Sequence, residues 1–219
     1  MKKGLFIAIL AMSIVYSRAE LRLENGYEYV DLGLSVKWAT CNIGATSPEG
    51  YGTYFAWGEV ESKANYNWDT YKHSKGSDYA FTKYCSDSEY GYNGFKDSKN
   101  ILELEDDAAS VHWGGSWRIP TDAEWSELRK KCIWKKSRMN GISGYKVTSK
   151  TNGNSIFLPF AGFYNYGQLR DVGSSGYSWS SSLCMSAPYN AKYGDFNISS
   201  VYGYSTSRRS GLTIRAVCQ

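Results

Sequence analysis

Glu103, Glu105, Asp106 and Asp107 stand almost side by side in the chain. Carboxylates in pairs can serve glycoside hydrolysis, and clustered carboxylates can hold calcium. The run has no EF-hand loop pattern, however, and an acidic run is equally what a solvated helix face or a first helical turn displays. A nucleophilic mechanism needs a base, and the chain has two histidines, His73 and His112. Neither has a local Ser or Asp arrangement that points to a triad. Cys41, Cys85, Cys132, Cys184 and Cys218 include no C-x-x-C pair, which argues against a zinc knuckle. Each thiol also reads as a small buried hydrophobe. The stretch GYGTY lacks the lysine and following helix of a phosphate-binding loop. No cofactor and no metal site follow from these residues.

The stretch WGGSWRIPTDAEWSEL, residues 113–128, concentrates tryptophans, an arginine and carboxylates. Its spacing predicts scaffold. Thr121 and Glu124 have the form of a capping box, in which hydroxyl and carboxylate satisfy each other's backbone amides. Asp122 suits the first turn, and Lys130 and Lys131 suit the last. Trp125, Leu128 and Cys132 recur as one buried stripe, so a helix is expected from 122 to about 133.

Residues 186–211, SAPYNAKYGDFNISSVYGYSTSRRSG, use a different vocabulary. Tyr189, Tyr193, Tyr202 and Tyr204 are interspersed with Ser, Asn, Asp and Gly. Tyrosine gives a large, rigid, amphipathic contact, and the small polar residues give adaptable hydrogen bonds. The segment reads either as a recognition surface or as a wet, tyrosine-rich hairpin without a partner.

The elements that must position these residues are mostly short strands. YEYVDLGLSVKWATCNIG reads as one or two strands with a turn near Gly33, and PEGYGTYFAWGEV as another. ILELEDDAASVHW predicts a short helix with Ile101, Leu104 and Ala108 on one side. After the helix of residues 122–133, strands are expected in GYKVTSK, SIFLPFAGFY, GYSWSSS, DFNISSVY and SGLTIRAVC. Asn152-Gly153 is the hairpin signal joining the first two of these. Residues 61–99 are polar and aperiodic, a surface excursion expected to be packed down by Tyr66, Trp68, Tyr71, Phe81 and Tyr84. The fold class is α+β, in one domain over residues 20–219.

Lys2 and Lys3 precede an apolar run from Leu5 to Tyr16, and Ser17-Arg18-Ala19 has small residues where a signal peptidase reads. A signal peptide over residues 1–19 is expected. The mature chain would then be exported to the cell surface or medium, with the periplasm as an alternative, and without a membrane span. Removal of this leader takes away Lys2, Lys3 and Arg18 and no acid, so the formal charge falls from +4 to +1. A nearly neutral chain is a poor candidate for nucleic acid, where a basic face supplies most of the affinity.

Several phrases occur together in order: YVDLGLSVKWATCNIGAT, YGTYFAWGEV, WGGSWRIPTDAEWSEL, NGNSIFLPFAGFY, GYSWSSS and SGLTIRAV. As a set, spanning about residues 27–217, they resemble the Fibrobacter succinogenes major paralogous domain, a family of exported proteins common in gut Bacteroidetes. The resemblance implies a C-type-lectin-like fold, of the branch shared with formylglycine-generating-enzyme-like proteins. There the W-R-I-P-T phrase begins a core helix, and the two late phrases are paired core strands beside a displayed face. Members are usually taken as surface or adhesion modules, so the resemblance implies a non-enzymatic protein with a protein or glycan ligand.

The same fold carries the variable proteins of diversity-generating retroelements, whose hypervariable residues precede the terminal strand. The positions that fit are Tyr189, Asn190, Tyr193, Asp195, Asn197, Tyr202, Tyr204, Ser205 and Ser207. The tyrosines would be contact anchors, and Asn190, Asp195 and Asn197 would fix orientation. The E-P-N, Q-P-D and W-N-D motifs of calcium-dependent lectins do not occur. For an oxidase of the formylglycine-generating type, Cys184 and Cys218 match by position only. A structural subunit of a surface fibre is a further alternative.

Overall fold

The computed structural model describes residues 22–219; the expected signal peptide of residues 1–19 lies outside the described residues. Leu23–Glu24 (β1), Tyr27–Val30 (β2) and Lys37–Ala39 (β3) open the chain, followed by the long excursion. Two helices come next, Ala108–Trp113 (α1) and Asp122–Lys131 (α2). Cys132–Met139 (β4), Ile142–Ser149 (β5) and Ser155–Pro159 (β6) form a meander, and Phe163–Asn165 (β7) pairs with Gln168–Arg170 (β8). Ser175–Leu183 (β9), Asn190–Asn197 (β10) and Val201–Ser207 (β11) form a third sheet in the order β11-β10-β9. Val217–Cys218 (β12) returns to close the first sheet beside β3. All strand pairs within these sheets are antiparallel, and the fold is α+β with few helices. Among the described residues no helix is long and apolar enough to cross a membrane.

The capping box forms as its spacing predicts. The Glu124 amide donates to Thr121 Oγ1 at 3.3 Å, and the Thr121 amide donates to Glu124 Oε2 at 2.7 Å. The same carboxylate takes two bonds from Arg118, at 2.5 and 2.8 Å, which tie the helix start to the preceding strand-like segment. Trp125 and Leu128 are buried. The helix stops at Lys131, short of the expected 133, because Cys132 already belongs to β4. That strand was not expected at all. It is an edge strand whose exposed residues include Lys135, Lys136 and Arg138, charges of the kind that keep edges from pairing with other chains.

The tight turn of this meander is Asn140-Gly141, with φ of 48° and 85°, joining Met139 to Ile142. Positive φ at both positions is what a two-residue hairpin of the favoured type demands. Asn152-Gly153 does join β5 to β6, but within a longer loop. The helix expected from Ile101 begins only at Ala108. Asp107 caps it, with Oδ1 accepting from the Ala109 and Ser110 amides at 2.9 and 3.0 Å. Leu104 is 70% exposed and Ile101 is bridged to Ser182 in extended form, so the expected apolar stripe is not a helix face.

Three apolar clusters make the core. One gathers Trp57, Trp117, Trp179 and Ile214; a second lies under α2 around Trp38, Trp125 and Val147. The third, with Tyr66, Tyr71, Phe81 and Cys85, lies beneath the excursion, and Trp68 packs against it. Its other anchor is Arg208, fully buried, with the guanidinium 3.9 Å from the Phe81 ring centre and donating to the Tyr84 carbonyl at 2.7 Å. Arg209 does the same over Tyr166, and donates to the Tyr66 carbonyl at 3.1 Å. Arg215 spans the carbonyls of Ala39 and Thr40. These arginines carry the loops of the fold, a role their surface-like sequence context conceals.

A candidate ligand-binding face on the third sheet

In β10 the period-two alternation places Tyr193, Asp195 and Asn197 on one side and Lys192, Gly194 and Phe196 on the other. Pairing with β11 runs without a break, Tyr193 facing Tyr204 and Asp195 facing Tyr202. Pairing with β9 sets Tyr177 against Asp195 and Trp179 against Tyr193. Directly opposed residues share a face. The row Tyr177–Asp195–Tyr202 and the row Trp179–Tyr193–Tyr204 therefore lie side by side.

Two glycines decide which side is displayed. A Cβ on Gly194 would lie 2.7 Å from the Trp125 ring, and one on Gly203 would lie 2.7 Å from the Arg129 guanidinium. Both belong to α2, so the helix packs against the reverse face at these two positions. The Tyr-Asp face turns the other way. At the β11 edge Tyr202 and Tyr204 are 51% and 52% exposed, with ring centres 5.7 Å apart. Inward from that edge exposure falls quickly, to 9% for Asp195 and 8% for Tyr193.

Between this face and β7 lies a cleft of about 210 Å³ lined by Phe163, Asp171, Tyr177, Tyr193, Asp195 and Thr206. The ring centres of Phe163 and Tyr177 are 4.9 Å apart, and those of Tyr177 and Tyr193 are 5.8 Å apart. The Tyr177 hydroxyl donates to Asp171 Oδ2 at 2.9 Å. Burial, and then the Asp171 charge, push the Tyr177 phenol up to about 12. Burial also raises the Asp195 carboxyl, and Asp171 adds to the rise; bonds from Asn197 and Tyr193 act against it.

The nine residues expected in the site separate into groups. Tyr193, Asp195, Tyr202 and Tyr204 come together on one face. Tyr193, expected as a contact anchor, is instead packed into the first core cluster beside Trp179, and only its cleft edge faces outward. Asn197 was expected to orient a ligand, but its Oδ1 already accepts from the Ser199 and Ser200 amides at 2.9 and 3.1 Å and builds the β10–β11 turn. Tyr189 is half-buried, its ring centre 5.6 Å from that of Tyr90 on the excursion. Asn190, Ser205 and Ser207 point to the opposite side from Tyr193, as their register requires. Tyr177, Phe163 and Asp171 were not expected. Only Tyr177 left a signal, its alternation with Trp179 in GYSWSSS.

The other candidate chemistry is accounted for by packing. Glu103, Glu105 and Asp106 do converge as a cation-binding group would. Lys83 Nζ lies 2.6, 2.7 and 2.6 Å from their carboxylates, and Lys72 reaches Asp106 at 2.7 Å, so lysines neutralise the cluster. Lys72, Lys83 and the Tyr84 hydroxyl hold the buried Asp106 carboxyl down to about 2 against the opposing effect of burial. His73 Nε2 meets the Gly58 carbonyl at 2.8 Å and His112 Nε2 the Val60 carbonyl at 2.6 Å. A carbonyl only accepts, so each Nε2 carries its proton and each ring is held in place by a backbone carbonyl. The five cysteines are free thiols; Cys184 and Cys218 are both buried, and burial pushes Cys218 up to about 11. No family model, curated protein or solved structure matches the chain.

Proposed function

We propose that the chain is an exported, surface-displayed binding module on a C-type-lectin-like scaffold, with its ligand face on β10 and β11 and no catalytic role. The observation that carries the reading is the exposed tyrosine pair Tyr202 and Tyr204, on the same face as Asp195 and Tyr193, which line an aromatic cleft. Exposed aromatic rings on an otherwise rigid sheet suit recognition, because little side-chain entropy is lost when they are covered. The packing of α2 on the reverse face at Gly194 and Gly203 adds support, since Tyr202 and Tyr204 lie on the side away from the helix. The lectin-like reading draws on the ordered phrases named above. The capping box that opens α2 agrees with it, as does the bridge from Ser178 to Thr213 between the two late phrases. The ligand belongs to a cell or host surface, protein or glycan, and nucleic acid is not among the partners.

The test applies the fluorescently labelled chain, from residue 20 onward, to a glycan array and to cultured epithelial and bacterial cells. Binding to at least one surface is expected, with a loss of at least about tenfold in a Tyr202→Ala/Tyr204→Ala double variant whose Tm is unchanged. Binding that survives the double substitution would remove this face from the function. Sequences of near-identical chains from one population test the retroelement-type variability. Changes confined to residues 186–209 would support it, and scattered changes would count against it.

A further inference from the structure

We infer that the cleft beside this face receives one basic side chain, lysine or arginine, presented by a protein partner. The inference rests on the reading of the β10–β11 face as the ligand site and names what that site takes. Asp195 is 9% exposed and makes no salt bridge among the described residues. Its hydrogen-bond partners are neutral: the Asn197 amide at 3.5 Å, at the outer limit of a hydrogen bond, and the Tyr193 hydroxyl. A buried carboxylate is ordinarily matched by a cation or held by several strong donors. Here neither is supplied from within the chain.

The rest of the lining points the same way. Asp171 brings a second carboxylate to the cleft, and no Lys, Arg or His lines it. An anion would meet two negative groups, and a neutral ligand would leave the repulsion between them in place. An ammonium or guanidinium would relieve both the burial of Asp195 and its repulsion from Asp171. The walls are the rings of Phe163, Tyr177 and Tyr193, and a desolvated cation over aromatic faces is further stabilised. Size narrows the occupant. The cleft holds about 210 Å³, below the roughly 300 Å³ at which pockets for whole small molecules begin. That space suits an alkyl stem with a charged tip better than a pyranose ring. Tyr202 and Tyr204, paired across the ladder with the cleft residues Asp195 and Tyr193, would then cover the partner's backbone next to the inserted residue.

The experiment is a titration of the chain, followed by amide NMR spectra, with Nα-acetyl-lysine methylamide and its arginine counterpart. The norleucine analogue and glucosamine serve as comparison probes. The cationic amino-acid probes should move the amides of Tyr177, Tyr193 and Asp195 at millimolar concentration. Asp195→Asn should weaken that binding about tenfold or more, and Asp171→Asn, at an exposed turn position, by a smaller factor. Should Asp195→Asn fail to fold, Thr206→Lys takes its place: a lysine built into the cleft should block the probes. Equal shifts from norleucine, tighter binding of glucosamine, or no shift from either cationic probe would overturn the inference. The two readings separate cleanly. Surface binding that needs Tyr202 and Tyr204 but is untouched by Asp195→Asn and Thr206→Lys removes the cation pocket and leaves the ligand face standing.

Discussion

Tyr204 stands directly opposite Tyr193 across the β10–β11 ladder, yet one ring is 52% exposed and the other 8%. The difference comes from position in the sheet. Tyr193 is on the central strand, with Trp179 and Tyr177 beyond it, while Tyr204 is on the edge. Removal of a buried aromatic side chain costs about 3–5 kcal/mol, and an exposed one within about 0.5 kcal/mol. Tyr193→Ala is therefore expected to lower the urea midpoint strongly, and Tyr204→Ala to leave it nearly unchanged. Equal losses in the two variants would mean that the edge ring is packed as firmly as the central one.

This pair also shows what the sequence makes legible. The capping box of α2 is readable because both partners lie within one turn and their chemistry is local. The tyrosines of β10 and β11 are readable as a set, and alternation places Tyr193 with Asp195. Which side of the strand faces solvent is not readable, because it depends on Gly194 meeting Trp125 from a distant helix. Tyr177 and Asp171 enter the cleft only through the β9–β10 register and the turn after β8, and no short-range pattern announces either. Likewise Arg208 and Arg209 look like exposed charges beside a turn until the aromatic excursion folds over them.

Arg208 offers a test of how the excursion is held. Its guanidinium contacts Phe81, Trp57 and Tyr71 and donates to the Tyr84 carbonyl. Arg208→Met keeps the alkyl stem but strands that carbonyl without its donor, a loss of about 2–4 kcal/mol. The excursion should open first. In hydrogen exchange the amides of Phe81 and Tyr92, which bond to Tyr90 and Phe81, should lose protection while those of β10 keep theirs. A uniform loss over both regions would show that Arg208 supports the whole fold and not this segment.

Acid stability turns on two buried groups of opposite sign. Burial lowers His73 from 6.5 to about 4, partly opposed by Asp106, so the unfolded chain takes up its proton first as pH falls. That contribution is complete above 6.5 and is lost on the way down to about 4. Burial raises Asp107 from 3.8 to about 6 despite three backbone donors, so the folded chain keeps its proton longer as pH rises. That contribution is present below 3.8 and is lost on the way up to about 6. Each is worth about 3 kcal/mol at about 1.36 kcal/mol per pKa unit. Between pH 4 and 6 these two contributions should thus largely cancel, leaving the slope of the native profile to carboxylates such as Asp106 and Glu124 that the fold holds low. Relative to the native profile, His73→Gln, which keeps a donor for Gly58, should tilt stability downward as pH rises, and Asp107→Asn should tilt it upward. Urea titrations at several pH values decide, and parallel profiles in all three proteins would sink the assignment.

Gly141 and Gly194 separate two reasons for a glycine. Gly141 has φ of 85° and nothing within 4 Å of an added Cβ, so an alanine there costs only backbone strain, about 1 kcal/mol. Gly194 has no positive φ, but its Cβ would lie 2.7 Å from Cε3 of Trp125, which is fully buried and has no room to withdraw. Overpacking of this kind costs about 1–3 kcal/mol and shifts the groups around it. Because Trp125 of α2 packs on Gly194, Gly194→Ala should also change the near-ultraviolet circular dichroism and Trp125 fluorescence, whereas Gly141→Ala should leave both as they are. A Gly194→Ala protein with native tryptophan signals and full stability would mean that the helix does not sit against β10, and with it would fall the reason the tyrosine face is the one displayed.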